Sequence, residues 1–137
     1  MISVYSDGSS TGRNNKPGGY GFVVVEEGVV LTWSFGGSAR TTNNLMEMEG
    51  AIRGLEAVLA MGLVQPWKAI ELVSDSKYTL GMASGSYSPT KNLDSVARLR
   101  DAAVKTGCRL RWVHGHRGDT YNEMCDRLAK LGKSLHT

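Results

Sequence analysis

The chain has 137 residues, of which 41% are hydrophobic and 21% charged, with a net charge of +3. That length supports one compact domain with a modest core and leaves no room for a second. A sequence pI near 9.0 is too mild by itself to identify a nucleic-acid binder, so the position of the charges must decide. No apolar run approaches the ~18–20 residues of a membrane span, and the N-terminus begins as a strand and not as a leader. Two cysteines, Cys108 and Cys125, make neither a disulfide framework nor a CxxC pair, which fits a reducing, cytoplasmic setting.

Ile2 to Ser6 reads as a first strand ending at Asp7. The Gly-, Asn- and Ser-rich stretch from Gly8 to Gly19 reads as a loop. Tyr20 to Glu26, a turn at Glu27-Gly28, and Val29 to Phe35 predict a hairpin. From Thr41-Thr42-Asn43-Asn44 to about Met61 the apolar residues Leu45, Met48, Ile52, Leu55 and Leu59 recur at helical spacing, with Gly62 beyond the end. Trp67 to Ser74 reads as a strand and Ser76 to about Ala83 as a short helix. Leu93 to Thr106 reads as a helix turning Val96, Leu99 and Val104 inward and stopped by Gly107. Cys108, Leu110 and Trp112 alternate with Arg109 and Arg111 as in a strand, and Asn122 to Lys133 closes the chain as a helix. The order βββαβααβα implies an α/β fold with a five-stranded mixed sheet, its first three strands antiparallel, flanked by helices over residues 1–137 as a single domain.

Within this order, acids fall on separate elements. Asp7 and Asp75 sit at the carboxyl ends of predicted strands, where ligands bind in such sheets, Glu47 lies in the first turn of a helix, and Asp126 sits near the start of the last one. Carboxylates on separate rigid elements suit hard divalent cations, which take oxygen ligands. Each acid also has an ordinary reading: Asp7 as a turn former, Glu47 as part of a cap begun by Asn44, Asp75 as a helix cap, Asp126 as a solvated charge. His114 and His116 with Cys125 and Asp126 make only a thin zinc set, because one cysteine stands where a structural site would carry two.

Tyr5-Ser6-Asp7-Gly8-Ser9, Gly18-Gly19-Tyr20-Gly21, Thr41-Thr42-Asn43-Asn44 with Met46-Glu47, Ser74-Asp75-Ser76, Trp112-Val113 leading to Gly115-His116, and Asn122-Glu123 with Cys125-Asp126 together resemble type 1 ribonuclease H. The resemblance spans essentially the whole chain and implies a ribonuclease H-like fold. It implies a metal-dependent endoribonuclease that cuts the RNA strand of RNA–DNA hybrids by a two-metal-ion mechanism, leaving 5′-phosphate and 3′-hydroxyl ends. It makes Asp7, Glu47, Asp75 and Asp126 the ligands of two Mg²⁺ ions, with Mn²⁺ as substitute, His116 an aid to proton transfer or product release, and Glu123 an auxiliary acid. Ser9, Ser10, Thr11, Asn43 and Asn44 become candidates for minor-groove contacts to 2′-hydroxyls, and Thr42 and Asn92 for a phosphate of the DNA strand. The partner is then a hybrid duplex, with no membrane and a monomeric protein. The competing readings are a non-catalytic hybrid-binding module and a ribonuclease H-like DNA nuclease or resolvase.

Two departures stand out. Lys77 replaces the amide side chain many relatives carry there. The segment between Tyr78 and Asn92 is about a dozen residues shorter than in relatives whose basic protrusion grips the DNA strand, which predicts weaker grip unless Arg13, Lys16, Lys91, Arg117, Lys130 and Lys133 compensate.

Overall fold

The computed structural model describes residues 1–11, 15–115 and 119–137. Its elements are β1 (Ile2–Ser10), β2 (Lys16–Glu26), β3 (Val29–Thr41), α1 (Asn43–Ala60), β4 (Ile70–Ser74), α2 (Lys77–Ser84), α3 (Leu93–Thr106), β5 (Arg109–Trp112) and α4 (Thr120–Ser134). The sheet order is β3-β2-β1-β4-β5. β1, β2 and β3 pair antiparallel, while β4 runs parallel to both β1 and β5. The predicted class and element order hold.

The elements differ from the expected ones mostly in length. β1 runs on to Ser10 and β2 begins at Lys16, because the two pair as far as Ser10 with Gly18; most of the expected loop is therefore ladder. Asp7 lies inside a strand as a result, paired with Gly21. β4 starts at Ile70, leaving Trp67 76% exposed. In α3, Val96 and Leu99 are buried as expected, but Val104 is 80% exposed on the solvent side.

Alternation along β1 sends Ile2 and Val4 to one face and Tyr5 to the other. The first face packs against α1, α2 and α3 through Met48, Ile52, Leu55, Met82, Val96 and Leu99. The second packs against α4 through Val23, Val25, Val73 and Cys125. Helices approach the sheet closely where glycine removes the side chain. A Cβ on Gly8 would lie 2.3 Å from the backbone nitrogen of Glu47, and one on Gly21 would lie 2.5 Å from Cβ of Leu128. These approaches fix where α1 and α4 can present their acids.

Ends are set locally. Thr42, not Asn44, caps α1, its Oγ1 accepting from the Leu45 amide at 3.2 Å. Glu27 and Gly28 both have positive φ, at 52° and 76°, as the two-residue hairpin between β2 and β3 requires. Asp119 caps α4 by accepting from the amides of Tyr121 and Asn122.

Candidate active site

Register brings the first two acids together. Tyr5 on β1 pairs with Val73 on the parallel strand β4, and both side chains belong to the cluster beneath α4. Two residues further along come Asp7, still within β1, and Asp75, the first residue past the end of β4. Glu47 reaches them from α1, in the second turn and not the first, because the cap is Thr42. One carboxylate oxygen from each of Asp7, Glu47 and Asp75 lies within 4.8 Å of the other two. Asp126 comes from the middle of α4, not its start, since that helix begins at Thr120.

All four acids line a cleft of about 430 Å³ with Gly8, Ser9, Ser10, Asn43 and Lys130. Asp7 and Glu47 are 5% and 6% exposed. The Gly8 amide donates to the carboxylates of both Asp7, at 2.9 Å, and Glu47. Burial is the main cause pushing the Asp7 carboxyl up to about 6; the Asp75 charge adds to it, while a hydrogen bond with Glu47 and the Gly8 amide oppose it. Glu47 is held well above the usual carboxylate range, first by burial and then by its hydrogen bond to Asp7 and the charges of Asp7 and Asp75. Burial and mutual repulsion thus raise the proton affinity of both carboxylates above that of isolated ones.

The donors are all carboxylate oxygens, brought together from β1, α1 and the end of β4. That fits a hard divalent cation and does not fit zinc in a cysteine–histidine site. Among the described residues no histidine or cysteine joins the group. Cys125 is fully buried, and burial raises its thiol far above the usual range, so it serves as core. His114 is exposed, its ring against Trp112 with centroids 4.3 Å apart.

The remaining predicted residues divide. Ser9, Ser10 and Asn43 line the cleft, whereas Thr11 is tied to the Pro17 carbonyl and Asn44 does not reach the cleft. Asn92 sits in a left-handed conformation at the start of α3, with φ of 58°, and its amide donates to the Tyr78 hydroxyl at 3.2 Å. Glu123 is half-buried in the first turn of α4, outside the three-acid group. His116 lies outside the described residues, as do Arg13 and Arg117. Lys130 is the residue whose place the sequence reading missed: its Nζ is 3.0 Å from Asp126, and the i,i+4 spacing on α4 was the available signal.

Comparison with known proteins agrees with this geometry. The RNase H family profile matches residues 1–134. A ribonuclease H of Sulfurovum sp. (strain NBC37-1) is 38% identical over 138 residues, covering 95% of this chain and 88% of its own. One from Shewanella sp. (strain MR-4) is 39% identical over 143 residues, covering 95% and 85%. The N-terminal RNase H domain of a Mycobacterium tuberculosis protein superposes with a TM-score of 0.84 at 28% identity, covering 98% of this chain and 94% of the other. LC11-RNase H1, solved in complex with an RNA/DNA hybrid, gives 0.81 at 26% identity over 98% of both chains. With the sheet order, the acid cluster and near full-length similarity in agreement, the chain belongs to the RNase H family.

Proposed function

We infer that the protein is an endoribonuclease that hydrolyses the RNA strand of RNA–DNA hybrids, with Asp7, Glu47, Asp75 and Asp126 holding two Mg²⁺ ions and Mn²⁺ able to substitute. The observation that carries this reading is the convergence of three carboxylate oxygens within 4.8 Å, two of the acids being buried with raised proton affinity. A purely binding module has no use for such a cluster, because grouped carboxylates repel a polyanion. Divalent cations held there supply charge for the scissile phosphate and activation of the attacking water.

The chain's own residues do the rest. The Gly8 amide orients the carboxylates of Asp7 and Glu47. Gly8 also lets β1 and α1 come close enough for both acids to share one cation, since any Cβ there would strike the Glu47 backbone. Lys130 Nζ pairs with the Asp126 carboxylate at 3.0 Å, and both line the cleft. Ser9, Ser10 and Asn43 border the acids and can hydrogen-bond ribose 2′-hydroxyls, which duplex DNA lacks. Thr42 and Asn92 are proposed to hold a DNA phosphate, with Tyr78 orienting the Asn92 amide. Thr11 and Asn44, which lie outside the cleft lining, are proposed as further contacts to the hybrid on their motif, and His116 and Glu123 as proton-transfer or release aid and auxiliary acid on theirs.

The protein is further proposed to be a cytoplasmic monomer with one domain over 1–137. Two free cysteines and a family match spanning residues 1–134 support this. Among the described residues no helix is long and apolar enough to cross a membrane. The decisive experiment incubates labelled RNA–DNA hybrid, single-stranded RNA and duplex DNA with Mg²⁺ or chelator. Only the hybrid is expected to be cut, only with metal, leaving 5′-phosphate and 3′-hydroxyl ends. Tight hybrid binding without cutting would favour a binding module.

A further inference from the structure

The sheet ends at β3, which among the described residues pairs only with β2, so one side of its backbone is an open edge. Such edges are usually guarded by charge, proline or bulges, because they template pairing with another strand. From Val29 to Ala39 this edge carries neither a charged residue nor a proline. Its irregularities lie towards its two ends, where the register with β2 shifts between Val24 and Val25 and between Lys16 and Gly18. Between those shifts, Thr32 to Ser38 pair in unbroken register with Val24 to Gly18, a regular edge of ~23 Å.

A groove flanks this edge on each face of the sheet. Trp33 stands opposite Val23, of the cluster beneath α4, and lines a groove of about 280 Å³ with Met124, Arg127, Leu128 and Leu131. Ser34 stands opposite Phe22, of the cluster beneath α1, and lines a groove of about 310 Å³ with Tyr20, Phe22, Arg53 and Ala57, among others. The first groove is walled by apolar side chains that face solvent: Trp33 is 54% exposed and Leu131 45%. Charge separates the two. Arg127 is exposed and is the one charged side chain lining the first groove. In the second, Arg53 is already paired with Glu49 at 2.6 Å, and Glu56 with Arg98 at 3.7 Å.

A strand added to a sheet edge sends successive side chains to opposite faces. Trp33 and Ser34 are consecutive, so a strand laid along Thr32–Ser38 places its side chains in the two grooves by turns. The grooves then set its chemistry: apolar residues with an acid for Arg127 on the α4 side, and uncharged residues on the α1 side. We propose that β3 is a docking edge for an extended segment of a partner protein, apolar and acidic at alternate positions, which joins the five-stranded sheet as a further strand and fills both grooves. A second copy of this chain is the poorer occupant, because its own edge holds no acid between residues 29 and 39 to meet Arg127. The docking edge stands apart from hybrid cleavage, since no residue of either groove lines the carboxylate cleft.

The test selects displayed random nine-residue peptides on wild type, with counter-selection on Trp33→Lys, and measures the synthesised, labelled winners by fluorescence anisotropy. The winners should carry apolar residues and at least one acid at every second position. Trp33→Lys should weaken their binding at least about tenfold, and Arg127→Glu about tenfold, as reversal of one charge implies. Both side chains are exposed, so circular dichroism should show either variant folded, and each arm stays readable without the other. Methylating alternate backbone amides of a winning peptide should abolish binding for one alternate set and spare it for the other, because only one side of an added strand bonds to β3. Hybrid cleavage by Trp33→Lys should match wild type. No enrichment over Trp33→Lys, winners without acids, or winners that tolerate methylation of both amide sets overturn the proposal. So does a wild type that sediments as a dimer which Trp33→Lys dissolves, since a second copy then holds the edge.

Discussion

Glu47 and Glu71 are equally buried, each 6% exposed, yet the fold treats them in opposite ways. Glu71, on β4, receives two hydrogen bonds from Arg111 at 3.0 Å each and one from Ser3 Oγ at 2.6 Å. The Arg111 guanidinium is the main reason its carboxyl is held below the usual range, despite burial. Glu47 meets Asp7, Asp75 and one amide, and burial and those acids hold its carboxyl well above that range. A buried acid that the protein neutralises is a structural element; one grouped with other acids in a cleft suits a divalent cation. The first stabilises the fold, and the second costs stability for function.

The sharpest way to break this comparison is to remove acids from each site. Asp75→Asn and Glu47→Gln should each lower hybrid cleavage by at least about a thousandfold in a labelled-hybrid assay, because each takes away a charged oxygen ligand. The purified variants should stay folded, and substantial activity in either would show that the cluster is not the catalytic centre. Gly8→Ala should also inactivate, by forcing β1 and α1 apart where Glu47 enters the site, and calorimetry should register a lower Tm.

Glu71→Gln should do the reverse. Losing a bidentate charged pair on a buried carboxylate costs about 2 kcal/mol in urea unfolding, with cleavage retained at temperatures where the variant is folded. Equal loss of activity would mean that this face of the sheet is also functional.

Acidity separates the two sites further. With its folded pKa raised to about 6, Asp7 penalises the metal-free fold fully above that pH, and the penalty is relieved as pH falls towards the unfolded value near 4. Glu71 has the opposite sign: its contribution is present above its unfolded pKa and lost as pH drops below about 4 through the lowered folded value. In chelator, therefore, Tm should be higher at pH 5 than at pH 7.5. Asp7→Asn should raise Tm at pH 7.5 by a few degrees and flatten that slope. A wild-type Tm that rises steadily from pH 5 to 7.5 without metal would contradict the assignment. Lys130→Gln is expected to have the smallest effect, a change of a fewfold in cleavage measured by its metal dependence, since it removes a 3.0 Å partner of Asp126 that is itself largely exposed.

The sequence was most legible where local chemistry acts alone. The helical spacing of Met48, Ile52 and Leu55, the Glu27-Gly28 turn and the stop at Gly107 are each decided within a few residues, and all three hold. It was least legible where partners decide. Gly8 to Ser10 reads as loop by composition but is strand, because β2 supplies hydrogen-bond partners as far as Gly18. Val104 reads as core by type, but it projects from the side of α3 that meets water. Lys130 carries no sign of its role beyond its spacing from Asp126.

Residue types and their order determined the βββαβααβα succession, the oxygen-only character of the acids and the resemblance that links them to a reaction. The tertiary structure alone decided that Asp7 and Asp75 stand side by side, through the parallel register of Tyr5 with Val73, and that Glu47 closes on them through the space a glycine leaves at position 8. It also decided which buried acid receives an arginine and which does not. The physical reason is that proton affinity and cation binding depend on distance, burial and neighbouring charge, and residues far apart in the chain acquire these only when the sheet is assembled.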